Sequence, residues 1–305
     1  MIMIKLNRFI LIAALVIAAS MQPAAARESE PQMRLEAALS SSHIYEGEPV
    51  ALTVTLISDT PDIAYARLIS KGDVRGANVL NAPMLETRDD RMHRIDDDGH
   101  RRYAAVVYRA MLMPNEGTLI IPGLSFEVGE RVQTVVNHPF FGPVRGSDVV
   151  EHELSTRDIK QKIYRLPKTV AGYSGAIGDF TIDAILPPGR IEEGQDGVVI
   201  IRIQGNGYVD GDAMPELRSY FPSGLNFKAS TSDSDVRVEG DRMVSVIEAE
   251  CTFTPAEAGE YILPAIDFIY FNPATRSYLT AKTKPLTIKV QESERHSAPP
   301  VLHNI

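Results

Sequence analysis

The sequence predicts an all-β protein made of two antiparallel β-sandwiches in tandem. Three observations carry this prediction. Apolar and polar residues alternate in short runs, as in Val50–Leu56, which is the pattern of a strand with one face in water. The 21 glycines and 20 prolines are spread along the chain as breaks between such runs. A set of turn residues also recurs in the two halves of the chain, which indicates an internal repeat.

The first 26 residues have the composition of an export signal. Lys5 and Arg8 give a basic start, and Phe9–Met21 is an almost wholly apolar run. This run is shorter than the about 20 residues that a membrane-spanning helix needs. The small residues that end at Ala26 are typical of a cleavage site. We therefore predict a signal peptide at 1–26, cleaved after Ala26, and a periplasmic protein. Retention of this segment as an amino-terminal anchor is the alternative.

The first predicted sandwich covers residues 32–165. Its clearest strand is Val50–Leu56, in which leucine and valine alternate with alanine and threonine. Asp98 and Gly99 lie between two strand-like runs, and a glycine there supplies a positive φ for a hairpin turn. Pro114 is predicted to end the strand that follows, because proline cannot donate to a central ladder.

Turn residues of the first half recur in the second half. Gly99 and Pro114 are 15 positions apart, and so are Gly240 and Pro255. Three further landmarks recur in the same order, namely Gly117 with Gly259, Pro122 with Pro264, and Phe126 with Phe268. Landmarks that repeat in order and spacing predict two copies of one domain.

The second predicted sandwich covers residues 176–290. Apolar residues occupy most alternate positions of Met243–Phe253, which predicts a strand with one buried face. The segment Gly259–Pro264 is predicted to open a strand that reaches Phe271. Residues 278–290 then supply the last strand or two.

Two segments outside the sandwiches are predicted from their composition. Residues 166–175 include Gly172 and Ser174 and form the predicted linker. Residues 291–305 are mostly polar and contain two adjacent prolines, so this end is predicted to be a tail.

Composition and charge exclude several classes of function. The formal net charge is −9, so the chain has no overall electrostatic attraction for nucleic acid or anionic lipid. One cysteine, Cys251, allows neither an intrachain disulfide nor a cysteine-rich metal site. Alternation places Cys251 on the apolar face of its strand, which predicts a buried structural thiol and not a nucleophile.

One acidic segment resembles a metal-binding loop. Residues 89–100 contain five aspartates and end at His100, and oxygen-rich loops of this kind bind calcium. The segment lacks the glutamate that closes a calcium loop, and arginines around it neutralise its charge. We therefore interpret it as a solvated hairpin and expect no metal and no cofactor, with a metal site as the alternative.

The segment that ends at Pro143 is the candidate binding site. It begins at His138 and holds Phe140 and Phe141 between two prolines, in an insert without a close counterpart in the second half. Aromatic side chains concentrate binding energy at protein interfaces, so this loop is the candidate partner-binding site. The alternative is that the rings fold back onto their own sandwich.

Several longer motifs resemble one family of exported bacterial proteins. The motifs are Gly175–Ala184 followed by Glu193-Gly194, Gly205-Asn206-Gly207, Phe253–Pro264, Phe271–Tyr278, and Gly99–Tyr103 leading to Met113-Pro114. Together they are similar to the BatD (Bacteroides aerotolerance, oxygen tolerance) family. The resemblance implies tandem immunoglobulin-like antiparallel β-sandwiches. It also implies membrane partners with von Willebrand A domains, a MoxR-type ATPase nearby, and a role in envelope or oxidative-stress tolerance, but it provides no catalytic residues.

The sequence therefore predicts a non-enzymatic protein-interaction module. It resembles a short form of the family without the carboxy-terminal membrane helix, so no direct membrane span is expected after signal cleavage. A carbohydrate- or surface-binding adhesion module is the alternative, although the chain has no tryptophan and few aromatic residues for stacking on sugars. An enzyme would need acidic and basic side chains that converge in a cleft.

Overall fold

The computed structural model describes residues 32–80 and 92–293, without the side chains of residues 137 and 138. Almost all of the regular structure in these residues is β-strand, with two short 3-10 helices at Gly211–Ala213 and Leu217–Tyr220. The prediction of an all-β sandwich fold is therefore confirmed. The predicted signal peptide and most of the predicted tail lie outside the described residues.

Eleven strands lie in the described part of the first half. They are β1 (Met33–Leu39), β2 (Ile44–Tyr45), β3 (Val50–Ser58), β4 (Ile63–Ser70), β5 (Ala77–Leu80), β6 (His93–Asp97), β7 (His100–Pro114), β8 (Gly117–Ile121), β9 (Ser125–His138), β10 (Gly142–Ser155) and β11 (Ile159–Tyr164). One sheet has the order β1-β3-β7-β5, with β6 also paired to β7. Two three-stranded sheets have the orders β10-β9-β4 and β2-β11-β8.

The second half contributes nine strands to the described residues. They are β12 (Tyr173–Ile185), β13 (Ile191–Glu192), β14 (Gly197–Tyr208), β15 (Leu225–Glu239), β16 (Arg242–Pro255), β17 (Gly259–Leu263), β18 (Asp267–Asn272), β19 (Ser277–Lys282) and β20 (Leu286–Gln291). A six-stranded sheet has the order β15-β16-β14-β12-β18-β19, and a three-stranded sheet has the order β13-β20-β17.

The two halves share one pairing pattern. The series β6-β7-β3-β1 in the first half corresponds to β15-β16-β14-β12 in the second, and β8-β11-β2 corresponds to β17-β20-β13. The pairs β2/β11 and β13/β20 are both parallel. The hairpin β9–β10 corresponds to β18–β19. The halves differ in the partner of the first strand of that hairpin: β9 pairs with β4, whereas β18 joins the larger sheet beside β12.

Individual hydrogen bonds repeat as well. The Gly47 N–H donates to the Pro114 carbonyl at 2.8 Å, and the Gly194 N–H donates to the Pro255 carbonyl at 2.9 Å. These two prolines are the ones that the spacing aligned. In the first half this bond fixes the turn before β3 against the end of β7. In the second half it fixes the turn before β14 against the end of β16.

A buried threonine also recurs, and the sequence comparison missed it. The Thr156 hydroxyl accepts from the Leu124 N–H at 2.9 Å, and the Thr283 hydroxyl accepts from the Ile266 N–H at 2.9 Å. The backbone N–H of each threonine donates to the carbonyl of the same partner. Both threonines are buried, so each satisfies polar groups that would otherwise be unpaired inside the protein.

The hairpin turns shift the alignment of the two halves by one residue from the one that Gly99 and Gly240 gave. Asp98 and Gly99 form the two-residue turn between β6 and β7, and both have positive φ. The second hairpin turns through Gly240 and the residue after it, because Glu239 pairs with Arg242. A β-bulge in β7, where Val54 and Thr55 pair with residues 108 and 106, accommodates the extra residue of the first half.

One predicted strand is divided in two. Residues 259–271 were expected to form one strand, but β17 and β18 are separate and belong to different sheets. Pro264 lies in the break between them, and a proline cannot continue a central ladder. The chain therefore crosses from one sheet to the other at this point, as it does between β8 and β9.

Each half encloses its own apolar core. The first core includes the fully buried Leu52, Leu112 and Phe126, and the second includes Phe253 and Phe268. The described residues belong to one compact unit, so the division into separate domains stays a prediction. Residues 165–172 connect β11 to β12, and the predicted linker thus overlaps β12 by three residues.

Aromatic side chains join the two halves. Tyr45 of the first half meets Phe271 of the second edge to face, with ring centroids 4.8 Å apart. Tyr278 also packs on Phe271, with ring centroids 5.3 Å apart. Ile177 is buried in the same cluster. A second contact places Met111 of β7 against Met243 of β16.

Candidate functional site

The hairpin β9–β10 is the most exposed apolar feature of the described residues. Its strands are 14 residues long each and pair without a register shift from Ser125–Ser155 at the base to His138–Gly142 at the tip. Phe126 and Val128 lie in the first core, whereas nearly all of β10 is exposed. The outer part of this hairpin, residues 132–150, is called the arm below.

The candidate residues of the sequence lie at the tip of the arm. Pro139, Phe140 and Phe141 form its turn, and the backbone of His138 pairs with Gly142. The Phe140 and Phe141 side chains are 88% and 78% exposed. Neither ring is therefore buried against the sandwich, which was the alternative interpretation. The side chain of His138 lies outside the described atoms.

The exposed apolar surface extends along the arm. Seven of the twelve large apolar residues that are exposed in the described part of the chain belong to it. They are Val135, Val136, Phe140, Phe141, Val144, Val149 and Val150. Exposed apolar residues are normal when scattered singly, but a concentration on one projecting element marks an interaction surface.

The arm has two apolar faces and little charge. Val136 lies opposite Val144 on one face, and Val135 lies opposite Arg145 on the other. Arg145 is the one charged residue between 132 and 147 in the sequence. A partner of the tip therefore meets mainly apolar side chains and backbone groups.

Polar contacts hold the base of the arm. The Tyr65 hydroxyl shares its proton between a Glu151 oxygen at 2.8 Å and a Glu127 oxygen at 3.2 Å, which ties β4, β9 and β10 together. The bond to Glu151 is the main cause that raises the pKa of Tyr65 to about 12. On the opposite face, a ring nitrogen of His152 lies 3.1 Å from a carboxylate oxygen of the largely buried Glu130.

A second candidate is the groove between the two halves. It has a volume of about 580 Å³, and the ionisable residues in its lining include His43, Glu48, Asp179 and Arg276. Burial raises the pKa of Glu48, and its carboxylate accepts from the Tyr45 N–H at 2.9 Å. Asp179 accepts from the side chains of Tyr270 and Asn272, both at 3.3 Å. These two carboxylates therefore stabilise local structure, and we assign neither of them a role as a catalytic acid or base.

The acidic segment forms the predicted hairpin in its described part. The Gly99 N–H donates to the Asp96 carboxylate at 2.8 Å across the turn, and Arg102 lies near Asp97. Within residues 32–80 and 92–293, no group of three or more His, Cys, Asp or Glu side chains is placed to hold a metal ion. Asp89 and Asp90 lie outside the described residues. Among the described residues there is also no helix of the length and apolarity needed to cross a membrane.

Cys251 lies in the second core, as its strand pattern predicted. It is fully buried, and burial raises the pKa of its thiol to about 11. It pairs with Val199, as Ala110 pairs with Leu52 in the first half, so a small residue occupies the same position in both copies.

Cys251 is therefore expected to react with a thiol reagent only after unfolding. A thiol with this pKa is almost wholly protonated at neutral pH, and the folded core also excludes the reagent. Absorbance with Ellman's reagent in native buffer and in guanidinium chloride measures both states. Ser147→Cys, on the exposed arm, is the matched control that reacts in native buffer. Stoichiometric modification of native Cys251 would show that the second core opens readily.

Comparisons with known proteins leave the function open. No family model matches the chain, and no curated protein matches it significantly. One solved structure, the type II cohesin dyad from the adaptor ScaA scaffoldin of Acetivibrio cellulolyticus, aligns with 74% of this chain and 86% of its own chain. The sequence identity is 10% and the TM-score is 0.17. A score at this level carries no conclusion, so the fold assignment rests on the strand pairing described above.

Proposed function

We propose that this protein is an exported, non-enzymatic interaction module that binds a protein partner through the tip of the arm. The observation that carries the proposal is the projection of Phe140 and Phe141 from a hairpin whose base is held by the first sandwich. Exposure of two adjacent rings to water is unfavourable, and their burial at an interface removes that cost.

The tip has the physical properties of an interface anchor. A phenylalanine buries roughly 150–250 Å² when it is covered, which corresponds to several kcal/mol at about 25 cal/mol/Å² before the costs of association. Aromatic anchors of this kind commonly dominate the binding energy. The paired strands on either side hold the short turn that carries both rings, which reduces the ordering cost on binding.

The resemblance to the BatD family supplies the partner class and the setting. We propose a von Willebrand A domain of a membrane protein as the partner, in the periplasm, with a role in envelope or oxidative-stress tolerance. The near absence of charge on the tip favours an apolar depression on that domain over a charged patch. The glycan-binding alternative has less support, because the groove between the halves has no tyrosine, phenylalanine or tryptophan in its lining.

Site-specific photocrosslinking in living cells tests the partner directly. A photoreactive residue at position 141 is expected to capture a protein with a von Willebrand A domain. The control position is Ile262, which is 61% exposed on β17 and far from the arm in sequence. The same capture from both positions, or capture of a different class of protein from position 141, would contradict the proposed partner.

Replacement of both rings is expected to abolish most of the affinity. The double variant Phe140→Ser with Phe141→Ser should weaken binding to the purified von Willebrand A domain by about 100-fold or more, since two anchors are lost. Surface plasmon resonance measures the change. Ile262→Ser, which also removes one exposed apolar side chain, should leave the affinity unchanged, and neither variant should alter the thermal unfolding transition. Unchanged affinity of the double variant would exclude the tip as the binding site.

A further inference from the structure

The outer edge of β10 is a second interaction surface, separate from the tip of the arm. Within residues 32–80 and 92–293, β9 is the only strand that pairs with β10. Every residue from Gly142 to Glu151 is exposed, and the register carries no bulge. A long edge strand presents unpaired N–H and C=O groups that can bond to another strand.

The other long edge strand differs in a way that discourages pairing. Strand β15 ends the larger sheet of the second half and carries a bulge at Lys228, where Phe227 and Ala229 pair with adjacent residues of β16. A bulge is one of the usual protections of an edge strand against association. Strand β10 has no such bulge.

We propose that β10 pairs antiparallel with β10 of a second copy of this chain, with Val149 on the two-fold axis. A two-fold axis perpendicular to a sheet leaves each side chain on the same face in both copies. Directly opposed residues of an antiparallel pair share a face, so both residue numbers must be odd or both even, and their sum is even. Centring on Val149 gives a sum of 298 and pairs residues 143–155 of one copy with 155–143 of the other. Phe140 and Phe141 fall outside this paired segment.

The charges of β10 complement each other in this register. Arg145 of one copy lies opposite Glu153 of the other, and symmetry makes this contact twice. Val144 lies opposite Leu154, and Val149 lies opposite itself at the centre. No two like charges are opposed, which favours pairing with a second copy over pairing with an unrelated strand.

Neighbouring registers are less favourable. Centring on Asp148 would oppose that carboxylate to its own copy, and centring on Glu151 would oppose two glutamates. Centring on Ser147 or on Val150 opposes no like charges, but Arg145 then lies opposite Val149 or Ser155 and has no charge partner. Among these registers, only the one centred on Val149 both places Arg145 opposite a carboxylate and avoids opposed like charges.

Cysteine crosslinking tests the register in the full-length protein. With Val149→Cys, the two thiols of a dimer lie opposite each other, and a short bis-maleimide reagent is expected to join them. With Ser147→Cys, the two thiols lie four residues apart along the strands, about 13 Å at about 3.3 Å per residue, and should not be joined. The native Cys251 is buried and does not compete.

Charge reversal tests the paired residues. Arg145→Glu alone and Glu153→Arg alone should each weaken the dimer in sedimentation equilibrium by about 10-fold or more, because each opposes like charges twice. The double variant should restore the dimer. A protein that sediments as a monomer at all concentrations, or a dimer that Val149→Cys does not trap, overturns the proposal. Arg145 and Glu153 lie outside the tip. Binding of the von Willebrand A domain to the same variants therefore tests the proposed function separately from the dimer.

Discussion

Replacing Phe268 with alanine is expected to lower the free energy of unfolding by about 3–5 kcal/mol. The ring is fully buried in the second core, where it meets Phe180 edge to face with centroids 6.0 Å apart. Truncation removes that contact area and leaves a cavity, because the surrounding strands are held by their ladders and cannot collapse onto it.

Chemical denaturation followed by circular dichroism measures this effect. Phe126→Ala removes the corresponding ring of the first core and should cost a similar amount. Phe141→Ala is the matched control, because the same truncation at the 78% exposed tip should change the free energy by less than about 0.5 kcal/mol. A loss below about 1 kcal/mol for Phe268→Ala would contradict the packed second core.

The same experiment tests whether the halves are separate domains. If they unfold independently, Phe268→Ala lowers one transition and Phe126→Ala lowers another. If the aromatic contact between Tyr45 and Phe271 couples them, both variants lower one shared transition. The number of transitions in the denaturation curve therefore shows whether the two halves are the separate domains that the repeat predicts.

Replacing Gly207 with valine is expected to cost about 3 kcal/mol or more, through steric overlap and backbone strain together. Gly207 lies on β14 opposite Gly178 of β12, and its φ of 144° is one that side chains rarely adopt. A Cβ at this position would lie 2.6 Å from the Gly178 Cα and would overlap the Ile177 carbonyl. The strands therefore approach more closely here than any side chain allows.

Thermal unfolding and the yield of soluble protein measure the Gly207→Val effect. Gly189→Ala is the control, because a Cβ at Gly189 meets no atom within 4 Å. This control should unfold close to the unchanged protein. A Gly207→Val protein with unaltered unfolding would mean that β12 and β14 can separate at this point without loss.

The sequence predicted the fold class and many turns because the relevant signals are local. Asp98-Gly99 has the composition of a two-residue hairpin turn, and Pro114 and Pro255 end strands in both halves as expected. Alternation placed Cys251 inside. Each of these signals depends on residues that are close together in the chain.

The rest depends on contacts between distant residues. The composition of residues 138–143 predicted a loop there, but it did not predict the length of the arm, because Val135 and Val136 are adjacent on a strand that has no buried face to impose alternation. The aromatic contact between the halves joins residues 45 and 271. The recurring threonines, Thr156 and Thr283, are identical in both copies, but their spacing from the aligned landmarks differs, so a comparison of spacings misses them.

The position of β12 between β14 and β18 has a consequence for biogenesis. The partner on one side, β14, is synthesised shortly after β12, but the partner on the other side, β18, begins only at Asp267. The larger sheet of the second half therefore stays incomplete until synthesis has passed β18 and β19. A nascent chain truncated before Asp267 would leave the β18 side of β12 without its strand partner.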